Sequence, residues 1–167
     1  MQTREWRMSK RNLLDMDIDS FTDLSPKEKE NLQLVVAELK GWAHQSVEEV
    51  LAVMAEDGVY YDITFKPAVG HKGIRKFGEG WVKAVPDFAP YIEAFVVQGD
   101  QVVNMGRISG TMMHDFFGMP GNGKKFDCQY CQYALIEHKK IKYVRDHWNV
   151  VDMYQQLGWD CSVLNKK

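Results

Sequence analysis

The sequence predicts an α+β fold: a curved antiparallel sheet folded around helices that precede it, forming a cone with an internal pocket. Two observations carry this. Two helix-start signatures lie in the first third of the chain, and from about Tyr91 the helical period gives way to long alternating segments joined by short turns. The chain of 167 residues is long enough for one substantial core. The domain spans residues 25–160, with an N-terminal arm at 1–24 and a C-terminal tail at 161–167.

The first helix begins at "LSPKEKENL", where Ser25 caps, Pro26 suits the first helical position and Glu28 completes a capping box. Leu32, Val35, Val36, Leu39 and Trp42 follow at helical spacing. A second helix over 46–57 repeats the Ser-x-x-Glu signature at Ser46 and Glu49. A strand over 58–70 ends in a loop with Pro67 and Gly70. A third helix over 72–87 turns Ile74, Phe77, Trp81 and Val85 inward, and its Gly78 and Gly80 each weaken it by about 1 kcal/mol unless they permit close packing. Then come "YIEAFVVQ", a long strand over 101–117, a Gly- and Lys-bearing hairpin loop, "FDCQYCQYALIEH", and a last strand after Lys139-Lys140.

Composition narrows the function classes. Hydrophobic content is 45%, charged content 26%, and the formal net charge −2, so no basic surface suggests a nucleic-acid partner. The apolar runs are too short for a membrane span, and the start of the chain lacks a secretory apolar core. An intracellular, cytoplasmic protein with no membrane or nucleic-acid partner is expected. Cys128 and Cys131 form a Cys-x-x-Cys on a strand, where residues three apart point to opposite faces, so buried free thiols are expected rather than a redox or metal pair. No metal-ligand spacing, phosphate loop or serine elbow occurs.

The residue that stands out is Asp146. In "YVRDHWNV" it alternates with Val144, Trp148 and Val150, while Arg145 and His147 share the other face. A carboxylate on an apolar face must acquire a hydrogen bond, a counter-charge or a raised pKa, and the last is what a general acid or base requires. A purely bracing carboxylate fits the same pattern. On the first strand Tyr60, Asp62 and Thr64 share one face and Val59, Tyr61 and Ile63 the other, which by itself reads as a solvated polar face over an apolar one. His114 and Asp115 point to opposite sides of the long strand, both apolar, so alternation does not choose between them.

The "RDHWNVVDMYQQLG" ending, with the "GMPGNGKK" hairpin before it, resembles the SnoaL-like polyketide (ester) cyclases. These belong to the cystatin-like cone superfamily of nuclear transport factor 2, ketosteroid isomerase and limonene epoxide hydrolase. The resemblance covers about residues 30–158 and includes "EDGVYYDI", "GHKGIRKF" and "VVNMGRISGT". It implies that Asp146 is a catalytic acid/base in the cone, and it moves Tyr60 and Asp62 toward the pocket as water- or oxyanion-holding groups. It places Tyr130 and Gln132 inward, with Gln132 near an auxiliary histidine of the cyclases whose role His114 could take. The arginine of the epoxide hydrolase Arg-x-Asp is missing: Met113 and Asp115, or Met112 and His114, stand there. Asp152 reads as a helix cap.

The candidate catalytic set is therefore Asp146, Tyr60, Asp62 and His114. Asp115, Tyr130, Gln132, Trp148, Phe77 and Trp81 form the candidate substrate-binding set. The implied activity is cofactor-free and metal-free acid–base chemistry, an aldol-type cyclisation or isomerisation of a small carbonyl compound, by a homodimer. A hydrolase or dehydratase, and a non-catalytic ligand-binding or scaffold domain, are the alternatives.

Overall fold

The computed structural model describes residues 12–162. Four helices, α1 (Pro26–Ala43), α2 (Val47–Val53), α3 (Gly70–Ala84) and α4 (Val150–Leu157), accompany six strands. These are β1 (Met54–Asp62), β2 (Ala68–Val69), β3 (Ala89–Gln98), β4 (Gln101–Thr111), β5 (Lys125–Glu137) and β6 (Lys140–Trp148). They form one curved, unclosed sheet in the order β2-β1-β6-β5-β4-β3. The α+β cone is as expected, but the sheet is mixed: β1 runs parallel to β6, while the other neighbours are antiparallel. Alternation specifies which face a residue takes and leaves open which strands become neighbours.

The local signals explain the helices. Ser25 accepts from the Glu28 amide and the Glu28 carboxylate accepts from the Ser25 amide, closing the capping box, with Pro26 at the first helical position. Helix α1 then packs under β3, β4 and β6. Gly78 in α3 sits where a Cβ would lie 3.0 Å from Val47 Cγ2 and 3.1 Å from the Trp42 ring. The glycine thus lets α3 approach α1 and α2 closely.

Several boundaries differ from expectation: the strand expected over 58–70 is split into β1, which starts at Met54, and the two-residue β2, and α3 runs over Gly70–Ala84 rather than 72–87. Helix α2 stops at Val53, because Met54 already pairs with Ile141 of β6. Strand β4 ends at Thr111 rather than continuing to residue 117: the amides of Met113 and His114 turn onto the Ala84 carbonyl at the end of α3. Asp152 is not the cap of α4; Asn149 is, its side chain accepting from the Asp152 amide. Residues 12–24 are also more than a loose arm. They carry two 3₁₀ turns, Leu13–Asp15 and Ile18–Ser20, and bury Leu14 and Ile18 in the core. Asn12 ties them to the edge of β3 through the Pro90 carbonyl and the Ile92 amide. The rest of the expected arm, 1–11, and residues 163–167 of the tail lie outside the described residues.

Candidate active site

Register assembles the site. Across β1 and β6, Tyr60 lies beside Val144 and Asp62 beside Asp146. Across β5 and β6, Gln132 faces Asp146 and Tyr130 faces Trp148. Paired residues share a face of a sheet, so these polar and aromatic groups meet inside the cone. The Tyr60 hydroxyl donates to Asp146 Oδ2 at 2.5 Å, and the Tyr130 hydroxyl donates to Oδ1 at 3.1 Å. Asp62 accepts from Trp148 Nε1 at 3.0 Å and from the amide and hydroxyl of Thr64 at 2.8 and 2.5 Å. Above this floor stands an aromatic wall in which Phe77 and Trp81 of α3 join Trp42, Phe88 and Trp148. The free interior is narrow, about 40 Å³.

Beneath the floor lies a second carboxyl, Glu38 of α1, fully buried. Its Oε1 accepts from Trp42 Nε1 at 2.5 Å and its Oε2 from Gln132 Nε2 at 3.2 Å. Gln132 in turn accepts from Asn104 Nδ2 at 2.8 Å. Among the described residues, no Lys, Arg or His lines the cavity. Removal from water without a counter-cation penalises the ionised forms. Burial pushes Asp146 up to about 7, against the opposing bonds from Tyr60 and Tyr130 and with help from the Asp62 charge. Burial, reinforced by the charge of Asp146, pushes Glu38 up to about 8. Burial also raises Asp62, although its bonds to Thr64 and Trp148 oppose the rise. Tyr60 and Tyr130 are held well above the ordinary phenol value by burial and the neighbouring carboxylates.

Of the residues singled out from the sequence, Asp146, Tyr60, Asp62, Tyr130, Trp148, Phe77 and Trp81 converge on this cavity. Tyr60 therefore faces the core, not solvent as its strand pattern alone suggested. Gln132 is completely buried and reaches the cavity only through Glu38 and Asp146. His114 and Asp115 do not join the site. Both are exposed on the loop that leaves β4 at Thr111, where Asp115 accepts from the Gly121 amide. Cys128 faces the interior and Cys131 the opposite face of β5, both as free thiols. Among the described residues, no group of three or more His, Cys, Asp or Glu side chains is arranged to hold a metal ion. Glu38 was missed, yet it had a signal: it falls between Val35 and Trp42 on the buried stripe of α1, where a surface glutamate does not belong.

A curved sheet wrapped over helices, with an acid at the floor of an aromatic pocket, defines a protein of the ketosteroid isomerase-like fold class. The chain belongs to the SnoaL-like polyketide cyclase family, whose model matches residues 33–157. A SnoaL-like polyketide cyclase-type protein from Jannaschia sp. CCS1 superposes with a TM-score of 0.74 at 17% identity, covering 81% of this chain and 96% of that one. TsrD from Streptomyces laurentii gives 0.70 at 20%, covering 81% and 98%. A protein of ketosteroid isomerase-like fold from Catenulispora acidiphila DSM 44928, solved in complex with trimethylamine, gives 0.68 at 16%, covering 78% and 95%. At such identities the likeness establishes the fold. Comparison with curated proteins returned no match. Among the described residues, no helix is long and apolar enough to cross a membrane.

Proposed function

We propose that this protein is a small-molecule enzyme that uses Asp146 as an acid/base on a carbonyl substrate, in an intramolecular cyclisation or an isomerisation. The observation that carries the reading is the Tyr60–Asp146 bond of 2.5 Å at the base of a narrow, aromatic-walled pocket, with Asp146 poised at about 7. A base with that value is half ionised near neutral pH, which suits proton abstraction next to a carbonyl. The Cα proton passes to Asp146. Its new neutral form releases the Tyr60 hydroxyl to donate to the enolate oxygen, and Tyr130 is the second donor in place of Asp62 or His114. In an isomerisation Asp146 returns the proton to another carbon. In a cyclisation the enolate carbon attacks a second carbonyl of the same molecule, and Asp146 gives the proton to the alkoxide formed. Ketosteroid isomerase divides acid and base roles among its side chains by environment in the same manner.

Deuterium uptake from D₂O into acetophenone and 2-tetralone, followed by proton NMR, tests this. The wild-type protein is expected to accelerate uptake, and Asp146→Asn to lose about 10²–10⁴-fold. An Asp146→Asn protein as active as wild type, or no acceleration by wild type, refutes the reading.

Activation of water is the second reading. The free interior is large enough for a few waters, and Asp62 lies beside Asp146 in register. Incorporation of ¹⁸O from labelled water into product distinguishes it from cyclisation.

A further inference from the structure

Five rings with a polar N–H or O–H line the cavity, Trp42, Tyr60, Trp81, Tyr130 and Trp148, and four of them have spent the proton they can donate. The hydroxyls of Tyr60 and Tyr130 donate to Asp146. Trp148 Nε1 donates to Asp62, and Trp42 Nε1 to Glu38. Trp81 is the exception: among the described residues its Nε1 proton has no acceptor, although the ring forms part of the same wall. A buried indole N–H normally finds a partner. Among the described residues the side-chain atoms sealed in protein without one are Gln45 Oε1 and Asn104 Oδ1. The half-buried Trp81 therefore keeps its donor against open space rather than against protein.

The helix sets where that donor stands. Phe77 and Trp81 are four residues apart on α3, on one face and about 6 Å apart along its axis. Phe77 packs on Tyr60 with ring centroids 5.7 Å apart, at the acid end of the cavity. Trp81 stands one helical turn farther on, held by edge contacts with Phe88 at 5.5 Å and Phe116 at 5.2 Å. An indole fixed in this way loses little freedom when it gives its N–H to a ligand. Among the described residues no Lys, Arg or His lines the cavity, so an anionic ligand group would lack a counter-cation and would share the space with Asp62 and Asp146. The N–H suits a neutral acceptor, a carbonyl or ether oxygen.

We propose that Trp81 is a specificity-determining residue whose Nε1–H donates to a second, uncharged acceptor oxygen of the substrate, at the end remote from the carbonyl that meets Asp146. The substrate class that follows is a flat, neutral ketone with an acceptor oxygen at each end. Which carbonyl reacts rests on the acid–base reading above, whereas the contact at Trp81 is a matter of binding. It is made equally before and during the reaction, so it lowers KM and leaves kcat unchanged.

Two ketones of matched shape test this: 1,4-diacetylbenzene, and 4-isopropylacetophenone, which lacks the second oxygen. In the wild-type protein labelled with nitrogen-15, the Trp81 indole proton is expected to move downfield on saturation with 1,4-diacetylbenzene and to stay in place with 4-isopropylacetophenone. In Trp81→Phe, which keeps an aromatic ring and loses the N–H, KM for deuterium exchange into 1,4-diacetylbenzene is expected to rise about three- to tenfold at unchanged kcat, with KM for 4-isopropylacetophenone altered less than about twofold. An indole signal that responds alike to both ketones, or to neither, overturns the proposal, as does an equal loss with both ketones in Trp81→Phe, which would mean that the ring serves only as packing. Should Trp81→Phe not fold, the wild-type indole signal decides alone. A wild-type protein whose Trp81 signal answers 1,4-diacetylbenzene without any deuterium exchange refutes the acid–base reading and upholds the donor.

Discussion

Glu38→Gln is expected to stabilise the fold, and by an amount that grows with pH. The substitution keeps the size of the side chain and an acceptor for Trp42, and it removes the group that must be protonated to stay buried. Glu38 rises from 4.5 to about 8 on folding, and at about 1.4 kcal/mol per unit this sets a ceiling of about 5 kcal/mol. The sign follows from linkage. Between these two values the folded state binds more protons than the unfolded chain, so the wild type is favoured below pH 4.5 and loses stability as pH rises to 8. The glutamine variant has no such dependence at this site. The difference between variant and wild type in urea unfolding is therefore expected to widen by about 3 kcal/mol from pH 5 to pH 8. For a chain of this size that corresponds to a gain in Tm of roughly 6–12 °C at the higher pH. Asp146 titrates in both proteins while position 38 is neutral, so its contribution cancels. Loss of stability in the variant that is the same at pH 5 and pH 8 would refute the reasoning, since it would mean that Glu38 is buried as a satisfied anion.

Tyr60→Phe removes the donor to Asp146 Oδ2; the Asp146 ionisation is expected to move further up in an NMR titration, and ketone exchange to fall by about 10²-fold or more. Gly106→Ala places a Cβ 2.0 Å from the Tyr91 carbonyl oxygen, where β3 bulges between Ile92 and Ala94; a loss of about 2–3 kcal/mol in urea unfolding is expected, and a neutral result would mean that the strands separate easily there. Ser25→Ala opens the capping box of α1 and is expected to cost about 1 kcal/mol, read by the same assay, with the Asp146 titration unchanged.

Much of the site was legible because two local rules hold in β6 and α3. Alternation put Asp146 with Val144 and Trp148 on the inner face, and the helical period put Phe77 and Trp81 on one side of α3; the structure has all of them inside the cone. The same rule failed for His114 because it presumed that β4 continued. The Ala84 carbonyl at the end of α3 draws the Met113 and His114 amides out of the sheet, and nothing within 101–117 announces a partner that distant. Asn149 caps α4 in place of Asp152 for a smaller reason: both are competent caps, and only the backbone shows which one starts the helix.

What the sequence alone determined is most of the helices and strands and which side chains share a face, since capping, the 3.6-residue period and the two-residue period act over a few residues. The tertiary structure decided which faces meet. The parallel pairing of β1 with β6 sets Asp62 beside Asp146 and Tyr60 within reach of it. Helix α1 lying under the sheet brings Glu38 to Gln132, which faces Asp146 across β5 and β6. Whether a carboxyl is a solvated surface charge or a proton held at neutral pH depends on the water and charges around it. Those are supplied by residues 22 to 108 positions away in the chain from Glu38, Tyr60 to Asp146, and no local pattern encodes them.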